Sequence, residues 1–344
     1  MHFPRQVLAG HNVASEIGQM SREFELDGPA LLVTGTTTGK LAAKLVEEAL
    51  ADHDYEVQTI TVGEASRDNL IKVEEATKEV KASFLIGVGG GSKIDLAKLA
   101  SGNLKMPFLS VPTSAAHDGI ASPRASIKDG GNSLSLNASV PLGVVADTAL
   151  IVKAPYRLLA SGCADVISNS TAVLDWELAS RLRGEFFSSS AANLAKYAAE
   201  SIIDNAAAIK PNLEDSVWVA IRPIIISGIS MAVASSSRPT SGSEHMFSHV
   251  LDKEAPGKAL HGEQCGVGSI MMMYLHGGDW EKIREALRMI GAPTNAEELG
   301  ISPEQIVDAL VHAHEIRKDR YTILGDRGLT SDAAERLAKI TRMI

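Results

Sequence analysis

FLIGVGGGSKID, residues 84–95, opens on an apolar run from Phe84 to Gly89 and passes through Gly90 and Gly91 into a helical pattern that starts near Ser92. A short apolar run closed by glycine and followed by 3.6-residue periodicity reads as a buried strand turning into a helix. Consecutive glycines let a ligand approach the backbone, and the helix N-terminus behind them offers free N–H groups to a phosphate. The run is not the GxGxxG fingerprint, and a tight turn that binds nothing has the same outline. Around it the same alternation continues: ALLVT (30–34), a helix from Lys40 to about His53, YEVQTITV (55–62), a helix near 68–81, PFLSVP (107–112) and GVVAD (143–147). Strands taking turns with helices predict βαβ units around a parallel sheet. Segment 124–140 has apolar residues alternating on both sides of Asp129-Gly130-Gly131, which predicts a β-hairpin projecting from this domain, where it could cover a ligand.

After Lys153 the texture changes. Segments 155–182, 190–210, 212–236, 240–251, 263–275, 280–290, 303–318 and 331–343 carry helical periodicity with almost no β-rich runs. Ala154-Pro155 marks the change, since proline suits the first turn of a helix. The expected fold is an α/β dinucleotide-binding domain with a parallel sheet over 1–153 and an all-helical metal- and substrate-binding domain over 154–344, with the active site in the cleft between them. The 344 residues suffice for two domains at roughly 150 each.

Acidic residues outnumber basic ones 42 to 33, so the overall field repels polyanions and nucleic acid is excluded as a partner. Any bound phosphate must be held by a local group. The only two cysteines, Cys163 and Cys265, form no CxxC pattern, which argues against a disulfide framework. The first residues lack the apolar core of a signal peptide, and the longest apolar stretch, Ile224 to Ala234, is short of the ~18 residues a membrane span needs. The expectation is a cytoplasmic protein without a membrane span.

Three further segments carry candidate chemistry. Gly35-Thr36-Thr37-Thr38-Gly39-Lys40 imitates a P-loop but is one residue short and has Leu41 in place of the magnesium-binding hydroxyl, so a nucleoside triphosphatase is rejected. It stands where a dinucleotide fold meets the adenosine ribose and offers no carboxylate to exclude a 2′-phosphate, so both NAD and NADP are expected to fit. The loop Pro112 to Ser122 follows a strand; Thr113, Ser114 and Ser122 can donate to a phosphate or nicotinamide, and Asp118 can accept from a substrate hydroxyl. Asp165, His245, His249 and His261 form a dispersed set of metal-type ligands. His245 and His249 are four apart on a predicted helix and either chelate together or split into one ligand and one proton-transfer group. Ordinary core histidines satisfy the same spacing. A Cys/His zinc site involving Cys163 or Cys265 is the less favoured alternative to buried structural cysteine.

In order and spacing, GGGSKID, PTSAAHDGIAS, GCADVISN, SGSEHMFSH and HGEQCGVG resemble the sn-glycerol-1-phosphate dehydrogenases of archaeal lipid synthesis. These lie within the dehydroquinate synthase-like and iron-containing alcohol dehydrogenase superfamily. The resemblance covers nearly the whole chain and is most specific from Ser241 to Gly266. It implies one zinc per subunit on Asp165, His245 and His261, with NAD(H) or NADP(H) along Gly89, Gly90, Gly91, Ser92 and Lys93 and completed by Thr113, Ser114 and Ser122. It implies that Asp118, Asp165 and His249 contact the substrate, with Asp118 and His249 as the catalytic pair. The reaction implied is reduction of dihydroxyacetone phosphate to sn-glycerol 1-phosphate for archaeal membrane phospholipids, by a protein expected to be a homo-oligomer. A glycerol dehydrogenase and a dehydroquinate synthase-like cyclase are the alternatives.

Overall fold

The computed structural model describes residues 2–37, 42–129 and 132–344. It divides into two compact units, Met1–Pro155 with Asn212–Ile221, and Tyr156–Pro211 with Arg222–Ile344.

The first unit is built from β1 (Gln6–Gly10), α1 (Ile17–Glu23), β2 (Ala30–Thr34), α2 (Lys44–Ala51), β3 (Val57–Thr61), α3 (Arg67–Glu79), β4 (Phe84–Gly89), α4 (Gly91–Leu104), β5 (Phe108–Pro112), the hairpin β6 (Arg124–Asp129) and β7 (Asn132–Asn137), β8 (Gly143–Asp147) and the short α5 (Thr148–Ile151). Six strands form one parallel sheet in the order β1-β8-β5-β4-β2-β3. β2, β4, β5 and β8 are buried at every residue, as parallel strands covered on both faces must be, and this is why they read as unbroken apolar runs. Leu32, Phe84, Ile86, Leu109, Val111 and Val145 from the sheet pack with Ile17, Met20, Val46 and Leu50 from the helices. The chain leaves β2, adds β3 on one side, then returns to place β4 on the other. The order reverses there, opening a crevice at the carboxyl ends of β2 and β4 where open α/β sheets take their ligands.

Sequence reading finds these strands except β1, whose QVLAG has a single β-branched residue and no apolar run to mark it. β1 is fixed by parallel pairing with β8 and by the Asp147 carboxylate, which accepts from Asn12 N and Ala14 N. The expected hairpin forms, with its turn glycines Gly130 and Gly131 outside the described residues, as are Thr38 to Leu41 of the threonine loop and the start of the helix expected from Lys40. It does not simply project: Ala125 and Ile127 of β6 are buried against Leu99 of α4, and Lys128 N donates to Ala65 O.

The second unit is helical: α6 (Tyr156–Ile167), α7 (Asn169–Arg183), α8 (Ser189–Asp204), α9 (Glu214–Ala234), α10 (Ser243–Glu254), α11 (His261–Leu275), α12 (Trp280–Ile290), α13 (Ala296–Leu299), α14 (Pro303–His312) and α15 (Ser331–Ile340), with α9 assigned to the first unit up to Ile221. The helix expected over 155–182 is two, broken at Ser168, whose hydroxyl turns back to Asp165 O. α9 falls within the helix expected over 212–236 and runs through Pro223, so it extends well beyond the apolar stretch Ile224 to Ala234. By length and composition it could cross a membrane, but its apolar window is 67% buried inside the protein, as in a core helix.

Candidate active site

The carboxyl end of β4 delivers the glycine loop, and its neighbour β5 delivers the 113–122 loop beside it. Gly89 pairs with Pro112 across the sheet, and Thr113 N donates to Gly89 O at 3.0 Å. Gly89 has φ +155°, a conformation that side chains rarely adopt, so the turn into α4 requires glycine there. Gly90 caps α4 without a side chain, so no side-chain cap occupies the helix N-terminus. Ser92 and Lys93 are half-buried at the first turn, and burial pulls the Lys93 ammonium down from its ordinary value against the opposing pull of Glu64. Ser114 is buried and Thr113 half-buried. Ser122 is fully buried and exchanges hydrogen bonds with the Arg124 backbone.

Asp118 opens a one-turn 3₁₀ segment, Asp118–Ile120. Behind that turn is a charge pair that sequence reading does not pick out. Lys98 of α4 is completely buried; its Nζ donates to Gly119 O at 2.5 Å and Arg124 O at 2.6 Å and meets Asp95 Oδ1 at 3.3 Å. Asp95 Oδ2 accepts from Ser126 N. The glycine-loop helix thus holds the Asp118 turn through a buried ammonium. The available signal was an Asp and a Lys three apart in a helix whose other inner positions are apolar.

In the second unit, α6 carries Asp165, α10 carries His245 and His249, and α11 starts at His261. One ligand atom each from Asp165, His245, His261 and Cys265 lies within 4.8 Å of the others. Asp165 Oδ1 is 3.6 Å from His245 Nε2 and 3.8 Å from His261 Nε2, and Cys265 Sγ is 3.6 Å from His261 Nε2. α6 and α11 approach closely enough for this because Gly262 has no side chain: a Cβ there would sit 2.0 Å from Ser161 O. His249, one turn after His245, is outside the four-atom group. Its ring centroid is 6.0 Å from that of His261, and its Nδ1 is 3.8 Å from Asp252 Oδ2.

Each histidine of the group has a second partner that fixes its ring. His245 Nδ1 bonds Glu244 Oε1 at 2.9 Å, and Glu244 is itself held by Gly242 N and Thr171 Oγ1. His261 Nδ1 bonds Ser248 Oγ, which also bonds the Gln264 amide. Burial, reinforced by His261, His249 and Arg320, pulls His245 well below its ordinary value, so its imidazole is neutral near pH 7. Burial and the Asp175 carboxylate push Glu244 up to about 8, and burial pushes the Cys265 thiol well up. One carboxylate and two imidazoles, each imidazole oriented through its other nitrogen, make a donor set that fits a divalent transition metal. Cys265, set aside in the sequence reading as a buried structural residue, is buried but one helical turn from His261 and against the same group. An i, i+4 His–Cys pair was its signal. Glu244→Ala, which removes the oxygen that holds His245 Nδ1, is expected to weaken metal affinity by about 10–100-fold, as measured by competition with a chelator of known affinity.

A model of the iron-containing alcohol dehydrogenase family matches residues 8–155. Over 344 residues the chain is 56% identical to a glycerol-1-phosphate dehydrogenase (NAD(P)+) of Methanosarcina mazei, all of this chain matching 96% of that one. The chain belongs to the glycerol-1-phosphate dehydrogenase family. A second family member, from Methanothermobacter thermautotrophicus and of the same name, is 54% identical over 344 residues, with 100% of this chain and 99% of that one covered. The family's fold extends to distant solved structures. A glycerol dehydrogenase of Schizosaccharomyces pombe superposes with a TM-score of 0.82 at 18% identity, covering 99% of this chain and 89% of that one. A sulfoacetaldehyde reductase of Bifidobacterium kashiwanohense, solved with NAD+, does so with a TM-score of 0.78 at 16% identity, covering 99% and 97%.

Proposed function

We propose that the protein is an oxidoreductase that reduces dihydroxyacetone phosphate to sn-glycerol 1-phosphate with NADH or NADPH, using a divalent metal, which we take to be zinc. The observation that carries this reading is identity above 50% along the full length with proteins of that name, together with the Asp165, His245 and His261 donor set. In this reading residues 1–153 bind the dinucleotide and 154–344 the metal and substrate. Gly89, Gly90, Gly91, Ser92 and Lys93 receive the pyrophosphate at the start of α4, with Thr113, Ser114 and Ser122 shaping the neighbouring loop. Thr36 and Thr37, which follow β2, carry no charge to repel a 2′-phosphate, in keeping with use of either nucleotide.

When bound, the metal polarises the ketone and the reduced nicotinamide supplies the hydride. The protein's own groups do the rest. Asp165, His245 and His261 hold the ion in one place, and Glu244 and Ser248 keep the two rings aimed. Asp118 accepts from a substrate hydroxyl and fixes which way the carbon chain points. His249 delivers the proton that the product oxygen needs, since imidazole exchanges protons near neutral pH. The product would be the glycerophosphate backbone of archaeal membrane phospholipids. Two buried, unpaired cysteines suit a reducing cytoplasm. Leu182, Phe186 and Tyr197 leave large apolar surface exposed in the second unit, which suits a homo-oligomer.

The test is oxidation of NADH and NADPH by zinc-loaded protein with dihydroxyacetone phosphate, with dihydroxyacetone, and after chelator treatment. Chelator-sensitive turnover of the phosphorylated ketone, giving the sn-1 enantiomer, is expected. Turnover of dihydroxyacetone alone would make it a glycerol dehydrogenase. No net oxidation with either would sink the reading and return a cyclase that uses its nucleotide only transiently.

A further inference from the structure

We propose that His117 is a further dinucleotide-binding residue, whose Nε2–H donates to the pyrophosphate at the start of α4; this rests on the dinucleotide-binding reading above. His117 precedes Asp118 and caps the turn Asp118–Ile120 from an extended backbone, with φ −168° and ψ 167°. Its Nδ1 is 2.9 Å from Gly119 N. A backbone N–H can only donate, so Nδ1 is the acceptor and the proton of the neutral ring is on Nε2. Among the described residues no hydrogen bond engages that second nitrogen.

The ring reaches the glycine loop with this donor in front. A Cβ on Gly91 would sit 2.0 Å from Nε2, and one on Gly119 would sit 2.5 Å from Nδ1, so the imidazole fills the space that a side chain would need at both glycines. Cα–Cβ bonds in a helix tilt toward its N-terminus, and Gly91 is the first residue of α4. Nε2 therefore stands on the side from which an anion meets the helix. The first helical bonds there are those of Lys93 N and Ile94 N to Gly90 O, which places Gly91 N and Ser92 N ahead of them. Beside this point Ser114 Oγ is 3.3 Å from where a Cβ on Gly90 would be. Two side-chain donors of the 113–122 loop thus stand over successive glycines of the phosphate loop. A ring fixed in advance through its other nitrogen loses little freedom when a phosphate arrives. The same ring joins that loop to the turn that presents Asp118.

The experiment measures the dissociation constants of NADH and of ADP-ribose by titration calorimetry for wild type, His117→Asn and His117→Ala, each with its thermal midpoint. An asparagine here can still accept from Gly119 N, as capping asparagines do, but is too short to stand over Gly91. His117→Asn is expected to keep a thermal midpoint near that of wild type and to bind both ligands about 10–100-fold more weakly, the factor for one hydrogen bond to a charged group. His117→Ala, which loses the cap as well, is expected to weaken them by the same factor. Wild-type affinity in His117→Asn with a loss only in His117→Ala would mean that the ring serves the Asp118 turn alone, and overturns the proposal. A loss for NADH that spares ADP-ribose overturns it too, since the ring would then meet the nicotinamide half. Failure of the dinucleotide reading itself looks different: wild type would then bind neither ligand.

Discussion

His261→Ala is expected to leave the protein without a stably held metal and to lower turnover by about 10³-fold. The loss follows from the geometry of the donor set. Asp165 Oδ1 is placed 3.6 and 3.8 Å from the two Nε2 atoms, so the three residues could hold one ion together, and removing one imidazole would leave a two-point site. Outer-sphere changes cost about 10–100-fold in affinity, and a lost ligand costs more. Without Lewis-acid stabilisation of the developing negative charge, several kcal/mol of barrier return, and roughly 4 kcal/mol corresponds to 10³ in rate. Metal content after dialysis should fall below one equivalent, and the rise in thermal midpoint expected of the wild type on adding zinc should be absent. His249→Ala, outside the four-atom group, should keep its metal and lose turnover by about 10²–10⁴-fold, as expected for a missing proton donor. Full metal occupancy in His261→Ala would remove His261 from the ligand set.

The strands were legible because β2, β4, β5 and β8 are covered on both faces and so consist of apolar residues without interruption. β1 was not, since QVLAG at the sheet edge has one β-branched residue, where β3 at the other edge has four in VQTIT. In the second unit the helices were legible, but the break at Ser168 was not, because a hydroxyl turned to Asp165 O leaves the apolar spacing intact. Asp165, His245, His249 and His261 stood out as residue types suited to metal. That Asp165, His245 and His261 converge came from the resemblance and not from their spacing, because it depends on α6, α10 and α11 meeting, and that depends on a backbone contact at Gly262. Lys98 is the same problem with charge: it holds carbonyls far away in the chain, and its one local mark is Asp95, three residues before it in the same helix.

Lys98→Met is expected to destabilise the protein by about 3–5 kcal/mol, and Asp95→Asn added to it is expected to recover a large part of that. The Lys98 side chain is 0% exposed and that of Asp95 6%. Both charges have left water, and burial pulls the Lys98 ammonium down from its ordinary value, with Asp95 opposing. The pair is therefore not a large net gain over an apolar replacement. Removing the ammonium alone, though, leaves the Asp95 carboxylate buried without its counter-charge and strips the donor from Gly119 O and Arg124 O. Removing both charges cures the first defect and not the second. The amide oxygen that Asp95→Asn introduces can still accept from Ser126 N, so the anchor of β6 survives. Stability measured by chemical denaturation separates the two contributions: the single variant reports both defects, and the double variant reports the two carbonyls alone. Catalysis should follow the carbonyls rather than the charge balance, because Gly119 is the residue after Asp118 and its carbonyl is what holds that turn to α4. The double variant should regain its fold while KM for the ketone stays raised. Equal stability of the single variant and wild type would show that the buried ammonium does no work in the fold. A double variant with wild-type KM would show that the Asp118 turn keeps its place without it.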